Sequence, residues 1–335
     1  MITILWKRVF FLLYTITLLC IAAPAGAEKL PKLILSGPPG TVSFPLMHMA
    51  ESGALADYAD SVEFTTWRDP DQLRLMALDN KAQILAIPTN VAANLYNRGI
   101  KLKLANVSVW GMLWIVSREA DAKTLADFKG KEIAMPFRGD MPDIIFELVA
   151  RAQGLDPRKD FKLRYVGTPF DALQLLITRR VDQALLAEPA VSMALHKTRS
   201  LPISIIAPTL YRSVDMQQEW GKALQRSPRI PQAGIAILGE MRNNPQFIAA
   251  VNAAYQASLQ WCMEQAKECG EMAVRHSDML EATAATDSVA ASILDVKESA
   301  QARDELEYFF DVLMKSNPAT IGKHLPDDGF YYTAQ

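Results

Sequence analysis

The chain is poor in the residues that build metal and redox chemistry. Of 335 residues only 3 are cysteine and 4 are histidine. The histidines, His48, His196, His276 and His324, show no ligand spacing, so they read as surface or partly buried side chains and no metal site is expected. Basic runs are missing too. With 35 Lys and Arg against 37 Asp and Glu the net charge is -2, which gives no electrostatic reason to expect nucleic acid as a partner. No glycine-rich loop followed by Lys and Ser or Thr is present, so no P-loop nucleotide site is expected. No Ser-His-Asp or paired-carboxylate arrangement is visible, and no cofactor is expected. Beyond the N-terminus no apolar stretch is long and uncharged enough to cross a membrane.

What is present begins with an export signal. Lys7 and Arg8 precede an apolar stretch over residues 9–23, and Ala25-Gly26-Ala27 offers the small-x-small pattern cut by signal peptidase, so cleavage after Ala27 and a periplasmic chain are expected. A retained anchor is the alternative, but the stretch falls short of the roughly 20 residues that span a bilayer, and Pro24 interrupts it. Cys20 follows Leu19 rather than a small residue, which disfavours a lipoprotein. Losing Lys7 and Arg8 takes the net charge from -2 to -4.

Cys262 and Cys269 then remain. In one unbroken helix their Cα atoms stand about 10 Å apart, too far for a disulfide, whereas a helix break brings them within reach. An oxidising compartment and an even count favour a local bridge across a helix-turn-helix corner, with two free structural thiols as the alternative.

From Leu33 to Ile206 short apolar runs such as Leu33-Ile34-Leu35, Ile84-Leu85-Ala86-Ile87 and Ala184-Leu185-Leu186-Ala187 alternate with helical patterns. That alternation predicts β-α units around mostly parallel sheets. Asp69-Pro70 starts one helix, and Gly99 and Gly154 stand where C-terminal caps belong. After about Met241 the pattern turns helical, with Phe247, Val251, Ala254 and Leu259 on one face, and strands are expected to stop. The chain's length exceeds one usual core, so two lobes are expected. Gln83 to Pro88 and Gln183 to Pro189 echo each other as an apolar strand followed by proline, either through two lobes of similar topology or by chance.

Two segments carry a family resemblance. Leu125-Ala126-Asp127-Phe128-Lys129-Gly130-Lys131-Glu132-Ile133-Ala134 is similar to DLKGKKIAV, and Arg180-Val181-Asp182-Gln183-Ala184 with Glu188-Pro189 is similar to GxVDAxxxxEP. Both patterns belong to the substrate-binding proteins of nitrate, taurine and aliphatic-sulfonate importers, which include relatives that bind thiamin-pyrimidine precursors. The resemblance runs over most of the chain and is strongest between about 80 and 195; Arg180 departs from it, since the family has Gly there. It implies a type II periplasmic-binding fold, an α/β architecture of two lobes, each a mostly parallel sheet flanked by helices, with a C-terminal helical segment. The expected division is 28–112 plus 205–335 for lobe one and 113–204 for lobe two. Trp110-Gly111-Met112 and Gln232-Ala233-Gly234 are the expected crossings, with Gly111 and Gly234 either hinges or simple strand ends.

In such sheets ligands lie beyond the carboxyl ends of strands, beside helix N-termini. The segment from Gly37 to Pro45 is one expected wall, with hydroxyls from Thr41 and Ser43 and a flat face from Phe44. Thr89 and Asn90 either bind ligand or cap the next helix. In the corner Arg138-Gly139-Asp140-Met141-Pro142, Arg138 either grips an anion or pairs in solvent with Asp140, itself expected to cap the helix; Met141 lies beside them. Glu188, placed in the cleft by the resemblance, suits a cation or hydrogen-bond donor and so conflicts with an anion-binding Arg138. Trp67, Trp110 and Trp114 either stack on an aromatic ligand or belong to the core.

The resemblance implies a monomer that is not an enzyme. It captures a small polar or anionic organic molecule, of sulfonate, aromatic-acid or pyrimidine class, by hinge closure and hands it to a membrane permease with its ATPase. A ligand sensor for a membrane receptor shares every feature and differs only in partner. Enzymes on the same fold, of pyrimidine-synthase or menaquinone-pathway type, are the third class; the synthase's cysteine-rich motif is absent here.

Overall fold

The computed structural model describes residues 29–334 apart from Pro202 and Pro208, so the expected signal and its cleavage after Ala27 lie outside the described residues. Among the described residues six strands form one sheet: β1 (Leu33–Gly37), β2 (Val62–Thr66), β3 (Ile84–Pro88), β4 (Leu102–Gly111), β10 (Ala233–Leu238) and β11 (Ile293–Glu298), ordered β11-β4-β10-β3-β1-β2. Five form the other: β5 (Leu113–Ser117), β6 (Glu132–Pro136), β7 (Lys162–Val166), β8 (Gln183–Ala187) and β9 (Tyr211–Asp215), ordered β7-β6-β8-β5-β9. β1 runs parallel to β2 and β3, and β6 parallel to β7 and β8, whereas the strands near a crossing, β10 and β5, run antiparallel to their neighbours. The continuous apolar runs read as strands become β1, β3 and β8, buried along nearly their whole length, as strands covered on both faces must be.

Helices flank both sheets: α1 (Phe44–Ser52), α2 (Pro70–Leu78), α3 (Thr89–Asn97), α4 (Met141–Ala152), α5 (Pro169–Ile177), α6 (Ala190–Arg199), the single turn α7 (Ile203–Ile206), α8 (Met216–Leu224), α9 (Pro245–Glu264), α10 (Ala266–His276), α11 (Ala282–Ala291) and α12 (Arg303–Ser316). Their starts follow local chemistry. Asp69 accepts from the Asp71 and Gln72 N–H groups at 2.9 Å and Pro70 pre-sets the first turn, while Thr168 and Asp171 close a reciprocal capping box on α5. Gly99 and Gly154 end helices at φ 90° and 77°, a backbone that side chains with a Cβ resist.

The first passage between the sheets is at Met112. β4 ends at Gly111 in one sheet, β5 begins at Leu113 in the other, and Met112 alone lies between. The second differs. β9 pairs with β5, Trp114 opposite Asp215, so the chain remains with the second sheet past the expected boundary at 204 and returns only at β10. Tyr-Arg-Ser-Val-Asp is a short edge strand with one exposed end and no apolar run, which is why its pattern is silent in the sequence. Neither expected hinge glycine has a left-handed backbone. A Cβ on Gly111 would stand 2.5 Å from Gln217 Cγ, and one on Gly234, inside β10, would collide with the Asn106 carbonyl oxygen. Both permit close packing rather than free rotation.

The C-terminal segment is mostly helical, and Phe247, Val251 and Leu259 are buried on α9 as the spacing predicts, Ala254 being half-buried. Strands do not stop, however: β11 adds to β4 as an edge strand, half-buried throughout and broken by register shifts, so its alternation is blurred. Gln265, at φ −120° and ψ 52°, separates α9 from α10 and brings the Cα atoms of Cys262 and Cys269 to 5.1 Å, where they form a disulfide. Both cysteines sit in an apolar cluster with Phe44, Met47 and Met272.

Candidate ligand-binding cleft

Where the carboxyl ends of β1, β3, β6 and β8 converge, a cavity of about 110 Å³ lies between the sheets. The first sheet contributes Pro38, Pro39, Gly40 and Val42 after β1, Trp67 and Arg68 after β2, Ile87-Pro88 at the end of β3, and Gln232-Ala233 at the start of β10. The second contributes Leu113, Phe137, Met141-Pro142, Pro169-Phe170 and the run Ala187 to Ala190. The wall is almost entirely carbon. Proline stands at six of these positions, and at the entry of α4 and α5 it takes the place of N–H groups that a helix N-terminus otherwise turns toward an anion.

Of the residues expected to bind, Met141 and Glu188 line this cavity; the others do not. Thr41 is buried with its hydroxyl 3.9 Å from Met112 Sδ, and Ser43 packs under Gly37. Phe44 belongs to the core cluster of the disulfide, because it is the first residue of α1 and turns toward α9 and α10. The Thr89 hydroxyl donates to the Pro231 carbonyl, tying α3 to the second crossing, and Asn90 lines a separate recess with Arg74 and Asp140. Trp110 is buried, its indole N–H donating to the Asp295 carbonyl at 2.7 Å and its ring covered by Arg229 and Lys297. Arg138 lies over the Tyr165 ring, 4.9 Å from its centroid, in a polar recess outside the cleft. Of the other tryptophans, Trp67 reaches the cavity and Trp114 does not.

Arg138 and Glu188 each have partners within the second lobe. The Glu188 side chain is fully buried; Oε1 accepts from Arg212 Nη2 at 2.6 Å and Oε2 from the Ser192 backbone N–H at 3.0 Å. Its charge is answered inside the second lobe, where it fastens β9 to the first turn of α6.

Asp140 does not cap α4. Its carboxylate reaches across the cleft to Arg74 Nη2 on α2, 2.7 Å away, and Asp143 takes the Gly139 N–H at 2.8 Å instead. Burial pushes the Asp140 carboxyl above its ordinary range, against the pull of Arg74. Asp143 rises for the same reason, and burial beside that carboxylate takes the Tyr165 hydroxyl up to about 12. His196 meets Asp287 at 2.7 Å and Lys197 meets Glu281, joining α6 to α11.

The sequence missed Arg74, Arg212 and the Pro169-Phe170 corner. The last was legible, since Val166-Gly167-Thr168-Pro169 repeats the strand-then-proline pattern of Pro88 and Pro189. Arg212 stands 24 residues from Glu188 and Arg74 66 from Asp140, separations at which no local pattern exists.

The family described as "ABC transporter, phosphonate, periplasmic substrate-binding protein" matches residues 56–258. No curated protein matches the chain. Among solved structures, an ABC transporter from Parabacteroides distasonis is 24% identical, with 91% of this chain and 100% of that one covered at a TM-score of 0.73. The periplasmic aliphatic sulphonate binding protein SsuA from Escherichia coli is 13% identical, covering 92% and 94% at 0.66. The periplasmic nitrate-binding protein NrtA from Synechocystis PCC 6803 is 15% identical, covering 86% and 82% at 0.65. At these identities the likeness shows the fold, a two-sheet periplasmic-binding architecture. With the family match spanning more than half of its length, the chain belongs to the periplasmic substrate-binding proteins of ABC transporters.

Proposed function

We propose that this protein is exported by cleavage after Ala27, captures one compact organic solute in the cavity between its two sheets, and delivers it to the permease of an importer driven by a separate ATPase. The observation that carries this reading is the cavity at the strand ends, lined from both sheets. A solute touching both walls favours the closed arrangement over an open one, and no covalent chemistry is required. Closure takes place about Met112 and the return between Leu224 and Ala233.

The wall narrows the expected ligand. Sulfonate, nitrate and phosphonate need several donors or a cation, and the enclosed wall has Pro where helix N–H groups would stand and a Glu already paired with Arg212. Arg68, its guanidinium largely in solvent, is the one cation among the lining residues. An uncharged solute with an apolar body fits better than a bare anion.

A thermal-shift screen of the exported chain tests this with methanesulfonate, methylphosphonate, nitrate, benzoate, pyrimidines and small lactams. A binder at 100 times its Kd adds about 2.7 kcal/mol of stability. Neutral rings should raise Tm; a screen in which only the anions do so refutes the ligand class, and one in which no solute acts removes support for solute capture.

A further inference from the structure

We infer that the solute enters hydrocarbon end first: it is an uncharged, monofunctional aliphatic molecule whose chain of about four carbons fills the cavity while its polar group stays at the mouth. This rests on the binding-protein reading above and names the ligand class of the same cavity.

Each polar side chain among the lining residues is either closed to the enclosed space or stands outside it. Glu188 is fully buried, its carboxylate divided between Arg212 and the Ser192 N–H. The Trp67 indole N–H is committed to the Ala86 carbonyl at 3.2 Å. The Gln232 amide is sealed beneath the wall, with neither its oxygen nor its nitrogen open to the cavity. Proline at six lining positions removes backbone donors as well. Arg68 differs from all of these, because its side chain is 60% exposed, 3.8 Å from an Asp278 that is itself in solvent.

The chemistry of the solute follows from that wall. A hydroxyl, amide or charge carried into the enclosed space finds no partner there, and burying a polar group unanswered weakens binding by about tenfold or more. Hydrocarbon meets no such penalty. Apolar cavities stay dry, and one of ~150 Å³ holds benzene, so the about 110 Å³ here holds a shorter body of about four carbons. Met112 and Met141 give the wall flexible, polarizable side chains that adapt to an aliphatic chain. At the mouth, water and the exposed Arg68 guanidinium answer the polar end.

The test titrates 1-propanol, 1-butanol, 1-pentanol, 1-hexanol and 1,4-butanediol into the exported chain carrying carbon-13 in its methionine methyls. The Met112 and Met141 methyl signals, assigned by substitution, report occupancy by NMR. Affinity should rise about fourfold from 1-propanol to 1-butanol and level off by 1-hexanol, where the chain outgrows the cavity. 1,4-Butanediol has the chain of 1-butanol but buries a hydroxyl whichever end enters, and should bind at least tenfold more weakly. A diol as tight as the alcohol, affinity that keeps climbing through 1-hexanol, or methyl signals that no alcohol moves would each overturn the assignment. The binding-protein reading fails separately: it stands if a solute from the thermal-shift screen moves the Met112 and Met141 signals, and falls if none does.

Discussion

Arg74 and Asp140 are an unequal pair, and the inequality is measurable. Arg74 is 36% exposed on its side chain and Asp140 12%, so removing the arginine strands a buried carboxylate while removing the carboxylate frees a cation that water reaches. Arg74→Ala should cost about 1–2 kcal/mol at neutral pH, and Asp140→Asn less, by urea unfolding. The pH dependence has a definite sign. A carboxyl raised by burial binds its proton more tightly when folded, so the stability tied to its neutral form is complete below its ordinary pKa and lost as pH rises through the raised one. The deficit of Arg74→Ala relative to wild type should therefore grow between pH 4 and pH 7; a deficit independent of pH would contradict the ion pair. Glu188 is more deeply committed, its side chain being 0% exposed, and Arg212→Ala should cost about 3 kcal/mol in the same assay.

At the scale of elements, strands covered on both faces and helices with a proline entry were legible, because continuous apolar runs and Asp-Pro or Thr-Pro starts are local signals. The cleft corners at Met141 and Glu188 came with them. Edge strands were not: β9 and β11 mix charges with apolar residues at half-buried positions, and only their pairing with β5 and β4 makes them strands. Side-chain direction was equally silent. Phe44 and Gly40 are four residues apart on the same loop and helix, yet one enters the core and the other the cavity. The corner between α9 and α10 has its own test. Closing a loop of seven residues' separation stabilises by about 2–3 kcal/mol, so reduction of Cys262–Cys269 should lower Tm by several degrees and leave solute affinity unchanged, because the bridge lies outside the cavity. Loss of affinity on reduction would tie the helical cap to the cleft.

Taken as a whole molecule, two sheets joined at Met112 and at the return into β10 enclose an apolar space, with the Arg74–Asp140 pair linking the two sides, and the proposed capture of a solute rests on that arrangement. Glycine at position 234 keeps the β4–β10 contact tight at the return; Gly234→Ala should destabilise by about 3 kcal/mol or prevent folding, read from the yield and Tm of the exported chain. The central claim is that the solute occupies the cavity between the sheets. The most direct measurement is the Kd of the best solute from the screen for wild type and for Met141→Trp, a variant that fills the cavity from α4. Affinity should fall at least tenfold while the variant stays folded by circular dichroism; an unchanged Kd in the folded variant would place the solute elsewhere.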